Sequence, residues 1–143
     1  MRAALAICAA LFCSAATTPV PSTDVTVEVT GMRSTKGYIQ ACLTPNPAHF
    51  PDCRNDPAAR RLTVPATAAE LRFPTVAPGR YAIALLHDEN GNGKADMTLM
   101  IPREGFGFSR NAAVRFGPPK FGSAAFTVPG AGAAEAIRMR YLL

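Results

Sequence analysis

The stretch Arg80-Tyr-Ala-Ile-Ala-Leu-Leu-His-Asp-Glu-Asn-Gly-Asn-Gly-Lys-Ala-Asp96, continuing through Met97-Thr-Leu-Met-Ile-Pro-Arg-Glu-Gly-Phe-Gly-Phe-Ser-Arg-Asn111, decides how the rest of the chain is read. Its first part is a strand: Tyr81, Ile83 and Leu85 alternate with Ala82, Ala84 and Leu86 at a period of two. The strand breaks where Asp88, Asn90 and Asn92 occupy every second position, followed by Gly93 and Asp96. That is the spacing of oxygen ligands in a calcium loop. Pro102 to Asn111 is rich in Gly and Phe and reads as a shaped surface loop.

Working outward, further alternating segments surround this one. Val25, Val27 and Val29 alternate with Thr26, Glu28 and Thr30. Gly31 to Gly37 is turn-forming, so Tyr38 to Leu43 is expected to return as the second strand of a hairpin, with Ile39, Ala41 and Leu43 on one face. Leu62–Val64, Leu71–Phe73, the partly alternating Phe121–Val128 and Ile137–Tyr141 complete the set, and a single helical turn is expected at Asp56 to Arg60. Pro78-Gly79 suits a type II turn. Thirteen Pro and eleven Gly in 143 residues agree with many turns and little helix. The expectation is one all-β domain, an antiparallel Greek-key β-sandwich of about seven strands. No internal repeat or interdomain linker interrupts it.

Residues 1–16 have the pattern of a signal peptide: a positive start at Arg2, an apolar run from Ala3 to Phe12, and small residues Ser14-Ala15-Ala16 at a cleavage site. The run is far shorter than the ~20 residues of a spanning helix, so no transmembrane segment is expected in the mature chain. Residues 17–23 read as a flexible lead and 24–143 as the domain. Cys8 and Cys13 would leave with the signal. Cys42 and Cys53, separated by a Pro-rich segment, are then expected to form one disulfide, worth roughly 3 kcal/mol in the chain-entropy model.

Charge excludes one class of partner. Without Arg2 the chain has 14 basic and 10 acidic residues, a net charge of +4. The basic residues are scattered and no aromatic ladder accompanies them, so nucleic-acid binding is not indicated. An envelope surface, a carbohydrate or another protein remain open as partners.

In the calcium reading, Asp88, Asn90, Asn92, the Lys94 carbonyl and Asp96 fill positions 1, 3, 5, 7 and 9. Leu99 stands where the bidentate Glu would be, and Glu104 is the candidate to replace it. The competing reading is a turn whose Asp and Asn side chains bond their own backbone. A second candidate surface combines Phe106 and Phe108 with Arg103 and Arg110, residue types that suit a sugar or peptide, or else Phe side chains that plug the sandwich. Catalytic residues are not indicated. A small hydrolase centred on His87 is the alternative, with Asp88 and Ser109 as the other candidate members. Neighbouring strand residues point to opposite faces, however, and Ser109 lies in no Gly-x-Ser-x-Gly elbow.

The blocks His87-Asp88-x-Asn-x-Asn92 and Pro102-x-Glu-Gly-x-Gly-Phe-Ser109, with Phe116-Gly-Pro-Pro-Lys-Phe-Gly122, resemble small exported proteins of Gram-negative bacteria grouped as domain-of-unknown-function family 2141. The resemblance covers nearly all of the mature chain. It implies a periplasmic or secreted protein and assigns no activity. The pattern Leu71-Arg-Phe-x-x-Val-Ala-Pro-Gly-Arg-Tyr-Ala-Ile83 is also similar to transthyretin-like and B-type sandwich modules, which bears on fold alone. The functional expectation is a non-catalytic binding or structural module, with calcium in the 88–96 loop.

Overall fold

A computed structural model describes residues 18–19, 21–68 and 70–143; the expected signal peptide, with Cys8 and Cys13, lies outside the described residues. The chain is all-β, with ten strands in its described part. They are β1 (Thr23–Thr30), β2 (Tyr38–Thr44), β3 (Arg60–Pro65), β4 (Glu70–Val76), β5 (Gly79–Asp88), β6 (Met97–Thr98), β7 (Ile101–Pro102), β8 (Gly105–Phe108), β9 (Phe126–Val128) and β10 (Ala133–Arg138). A 3₁₀ turn covers Ser109–Asn111 and one helical turn, α1, covers Phe121–Ala124.

Two sheets enclose one core. The first has the order β10-β1-β4 and the second β3-β2-β5-β8, with β9 on the early part of β5. Val25, Val27 and Val29 of β1 meet Ile39, Ala41 and Leu43 of β2, Ile83 and Leu85 of β5, and Leu71 and Phe73 of β4. These are the alternating apolar positions of each strand, and their burial supplies most of the driving force for closing the sheets.

Four local expectations are corrected. β1 and β2 do not form a hairpin: β1 pairs with β4 and β10, whereas β2 pairs with β3 and β5. The loop at residues 31–37 therefore crosses between sheets. β1 and β10 run parallel, so the fold is not wholly antiparallel. Asp56 to Arg60 is a turn, with the Asp56 side chain accepting from the Ala58 N–H at 2.9 Å. Gly79 is not in the positive-φ region that a type II turn at Pro78-Gly79 requires; Thr75, at φ 58°, is the left-handed residue nearby.

The Gly/Phe stretch is the largest departure. Gly105–Phe108 is a strand, paired antiparallel with β5 through Ala84↔Phe108, Leu85↔Gly107, Leu86↔Phe106 and His87↔Gly105. Its two faces differ completely in bulk. Gly105 and Gly107 face Tyr141, Ile137 and Met139 so closely that a Cβ would lie 2.3 Å from the Tyr141 ring or 2.7 Å from Ile137 Cγ2. Phe106 and Phe108 face outward into a second apolar cluster with Ala82, Ala112 and Ala124, covered by Phe50 and Phe121. Phe50 meets Phe108 and Phe121 edge-on at 5.8 and 6.1 Å.

Cys42 projects from β2 on this outer side, and Cys42 and Cys53 lie at disulfide distance, with Cα atoms 6.4 Å apart. The bridge ties the segment carrying Phe50 to the sheet.

Gly107→Ala should cost about 1–3 kcal/mol, the range for overpacking a filled interior, with Gly105→Ala at the upper end. Urea denaturation measures both, and unchanged midpoints would mean that β10 does not approach β8 this closely. Free-thiol titration of an unfolded, unreduced chain lacking residues 1–16 should find no thiol; two would exclude the bridge.

Candidate functional site

β5 ends by sending consecutive side chains to opposite sides of its sheet, and the two acquire unrelated roles. His87 faces the core and is fully buried. Its Nε2 lies 2.8 Å from the Lys36 carbonyl, which can only accept, so Nε2–H is the donor and Nδ1 accepts from the Tyr141 hydroxyl at 2.7 Å. Burial pushes the Tyr141 pKa up and keeps that hydroxyl protonated. Ser109 is also fully buried: its Oγ accepts from the Ile83 N–H at 2.9 Å and donates to the Ala124 carbonyl. His87 and Ser109 are therefore structural connectors, without the exposed nucleophile–base contact that the hydrolase alternative needs.

Asp88 faces the other way and organises the loop. One carboxylate oxygen accepts from the N–H groups of Gly91 at 2.8 Å and Asn92 at 3.2 Å. The other accepts from the Gly93 N–H at 2.8 Å and from Gln40 Nε2 at 2.8 Å. Four donors meet the roughly four lone-pair positions of a carboxylate. Gly91 and Gly93, at φ 71° and 77°, provide the left-handed turns that bring three successive N–H groups inward. Gln40 reaches Asp88 from β2, and nothing in the loop's own sequence points to it beyond its outward position on that strand.

The other loop oxygens also serve the backbone. Asn90 Oδ1 accepts from the Asn92 N–H at 3.0 Å and Asn92 Oδ1 from the Lys94 N–H at 2.9 Å. Their amide nitrogens converge on Asp96, Asn90 at 2.6 Å and Asn92 at 2.9 and 3.0 Å. These donors, Asn92 foremost, hold the Asp96 carboxyl below its usual pKa. The structure thus brings Asp88, Asn90, Asn92 and Asp96 into one polar loop, with Lys94 exposed on it.

Glu104 closes the loop from the start of β8. It is buried, and one oxygen accepts from the Asp96 N–H at 3.2 Å. Its Oε1 is buried and accepts from no donor group, and Asp88 is the side chain with which a protonated Glu104 would share a hydrogen bond. Burial pushes its pKa up, the Asp88 and Asp96 carboxylates push the same way, and the Asp96 N–H pulls against them. Among the described residues, no group of three or more His, Cys, Asp or Glu side chains is arranged to hold a metal ion.

A clamp flanks the loop. Arg33 donates to Glu89 through Nε at 3.0 Å and through Nη2, and the same Nη2 reaches the Arg103 carbonyl at 3.0 Å. Its guanidinium lies 4.5 Å from the centre of the Tyr141 ring. Ser34 Oγ donates to Glu89 at 2.7 Å. Arg33 foremost, with Ser34, brings the Glu89 pKa down to about 2.

Of the two readings of the Phe and Arg group, the burial agrees with Phe side chains that plug the sandwich. Phe106 and Phe108 are buried in the outer cluster and offer no face to a ligand. Arg110 is exposed and caps the end of β8, its N–H donating to Glu135 at 2.9 Å and its Nη1 to the Ala125 carbonyl. Arg103 is exposed beside the loop, held through its own N–H to the Asp96 carbonyl at 2.9 Å.

The Glu89 contribution has a definite sign. A depressed carboxylate stabilises above its unfolded pKa, near 4.5, and this is lost as pH falls towards about 2. Glu89→Gln should flatten that part of the stability curve, measured by urea denaturation between pH 5 and 2. A slope equal to wild type would remove the ion pair from the account.

Residues 27–136 match the family model described as "Uncharacterized protein conserved in bacteria (DUF2141)". No curated protein and no solved structure matches the chain. With the model spanning well over half of its length, this chain belongs to the DUF2141 family of bacterial proteins.

Proposed function

We propose that the protein is an exported, non-catalytic β-sandwich module of Greek-key, transthyretin- or immunoglobulin-like type, whose 88–96 loop takes up calcium. Residues 1–16 act as its signal peptide, residues 17–23 as a lead and 24–143 as one domain, placing it in the periplasm or outside the cell. The cysteine pair at disulfide distance supports an oxidising compartment. Among the described residues no helix is long and apolar enough to cross a membrane.

The observation that carries the calcium reading is Glu104: a buried carboxylate with an unpartnered oxygen, beside two other carboxylates. Such an atom costs free energy that a cation would offset. Asp96, Glu104 and Asp88, with the Asn90 and Asn92 side-chain oxygens and the Lys94 carbonyl, would hold the ion. Asn90 and Asn92 would turn their oxygens from the backbone towards it, and Asp88 would give up part of its backbone bonding. The ion would supply positive charge where β5 and β8 bring the carboxylates together. An oxygen-only donor set with amides suits calcium of modest affinity.

Glu104 makes the test two-sided. A carboxyl with a raised folded pKa favours folding below its unfolded pKa of about 4.5, and that contribution is lost as pH rises through the folded value. In chelator at neutral pH, Glu104→Gln should therefore be more stable than wild type. Calcium at a hundredfold excess over Kd should stabilise wild type by about 2.7 kcal/mol and Glu104→Gln or Asp96→Ala far less. Glu89→Ala should keep the calcium response, because Glu89 bonds Arg33 and Ser34 outside the loop. If calcium leaves the wild-type melting curve unmoved, the loop is a turn held by its own Asp and Asn side chains.

A further inference from the structure

Between the loop and Glu104 the chain makes an excursion that the fold does not explain. β6 and β7 pair through Met97↔Pro102 and Thr98↔Ile101, leaving a two-residue turn of Leu99 and Met100. Both are in the left-handed region, at φ 49° and 66°. Two-residue hairpin turns of this kind favour Asn-Gly or Asp-Gly, because a side chain beyond Cβ gains nothing there and Cβ itself is crowded. Here the positions hold two large apolar side chains, 92% and 89% exposed. Met97 and Ile101, 54% and 40% exposed, extend the apolar surface down the ribbon. Folding stability would be served by other residues at all four places.

We propose that this hairpin inserts into the interfacial layer of an anionic lipid bilayer, with Leu99 and Met100 among the upper acyl carbons and Lys94 and Arg103 at the headgroups. Size favours a bilayer over a protein partner. A stable protein interface buries about 1,200–2,000 Å² in total, more than a six-residue ribbon offers by itself, whereas a few apolar side chains with basic neighbours suffice for interfacial attachment. Two basic side chains support this: Lys94 and Arg103 flank the ribbon, neither takes part in a salt bridge among the described residues, and without Arg2 the chain has 14 basic and 10 acidic residues, a net charge of +4. The flexible Leu and Met side chains suit a fluid surface. Asp96 at the base of the ribbon stays negatively charged, bonded by the neutral Asn90 and Asn92 amides, so attraction to an anionic surface rests on Lys94 and Arg103 and attachment chiefly on the apolar tip. The proposal does not rest on calcium, and its test is run in EDTA.

The chain contains no Trp, so Met100→Trp places a single reporter at the tip. Vesicles of phosphatidylglycerol and phosphatidylethanolamine should shift its emission to the blue and shield it from aqueous quenchers, and phosphatidylcholine vesicles should do so more weakly. In vesicle co-sedimentation of the otherwise unaltered protein, Leu99→Asn with Met100→Gly should reduce partitioning about tenfold or more. The same pair should melt at the same or a higher temperature than wild type, because it relieves the left-handed positions; this separates lost insertion from lost folding. Lys94→Gln with Arg103→Gln should weaken binding to the anionic vesicles selectively. An unshifted Trp, undiminished sedimentation of the Leu99/Met100 variant, or concentration-dependent self-association abolished by that variant would overturn the proposal, the last in favour of a second copy of the chain as partner.

Discussion

The contact on which most of the structure depends is the approach of β10 and Tyr141 to the glycine face of β8. With Gly105 and Gly107 bare, Tyr141 reaches the His87 ring and Arg33 lies over Tyr141. The loop at residues 31–37, the end of β5 and the chain after β10 are thereby held together. The same alternation gives the outer face two Phe side chains, around which Phe50, Phe121 and the Cys42–Cys53 pair gather. One four-residue strand thus sets the spacing on both faces of its sheet: no bulk on one, full aromatic bulk on the other. A strand buried on both sides needs this when its two neighbours lie at different distances.

This explains which parts of the fold were legible. β1, β2, β4 and β5 have one face of Val, Ile, Leu or Phe and a contrasting second face, so their period of two is plain in the sequence. β8 also has a period of two, but its contrast is between Gly and Phe rather than apolar and polar. Both its faces are buried, and hydropathy cannot distinguish them. Pairing partners were less legible still. The turn-forming residues from Gly31 to Gly37 are compatible with a hairpin, yet Met139 N–H bonds the Thr30 carbonyl and β1 is occupied on both edges by distant strands. Nothing local in residues 31–37 encodes that competition.

For the candidate site, the sequence placed the loop correctly but not the allocation of its hydrogen bonds. Alternate Asp and Asn residues ending at Gly93 serve equally well to ligate a cation or to accept successive backbone N–H groups. In the structure Asp88 does the second with all four of its acceptor positions. Gln40 and Arg33 could not be found from the loop's own sequence, because each arrives from a distant segment through sheet pairing or a crossing loop. Glu104 could be suggested, because it returns a few residues later; its unpartnered oxygen is a consequence of burial and visible only in three dimensions.

Two kinds of cost remain concentrated in one short segment. Glu104 carries an unpartnered oxygen among like charges, and Leu99 and Met100 occupy left-handed backbone while exposing apolar surface. They lie within six residues of one another, after the last paired residue of β5. Left-handed non-glycine backbone also occurs at Thr75, Arg110 and Asn111, and Phe116 is exposed, but none of these stands beside a buried unpartnered carboxylate; His87, Ser109 and Asp56 are hydrogen-bonded in the interior. Backbone strain, exposed apolar bulk and an unpartnered buried oxygen coinciding in six residues is a pattern expected where selection acts on something other than stability. A cation would relieve the first cost and a bilayer the second. Because β6 and β7 connect the 88–96 loop directly to Glu104, both costs fall on the same short excursion of the chain.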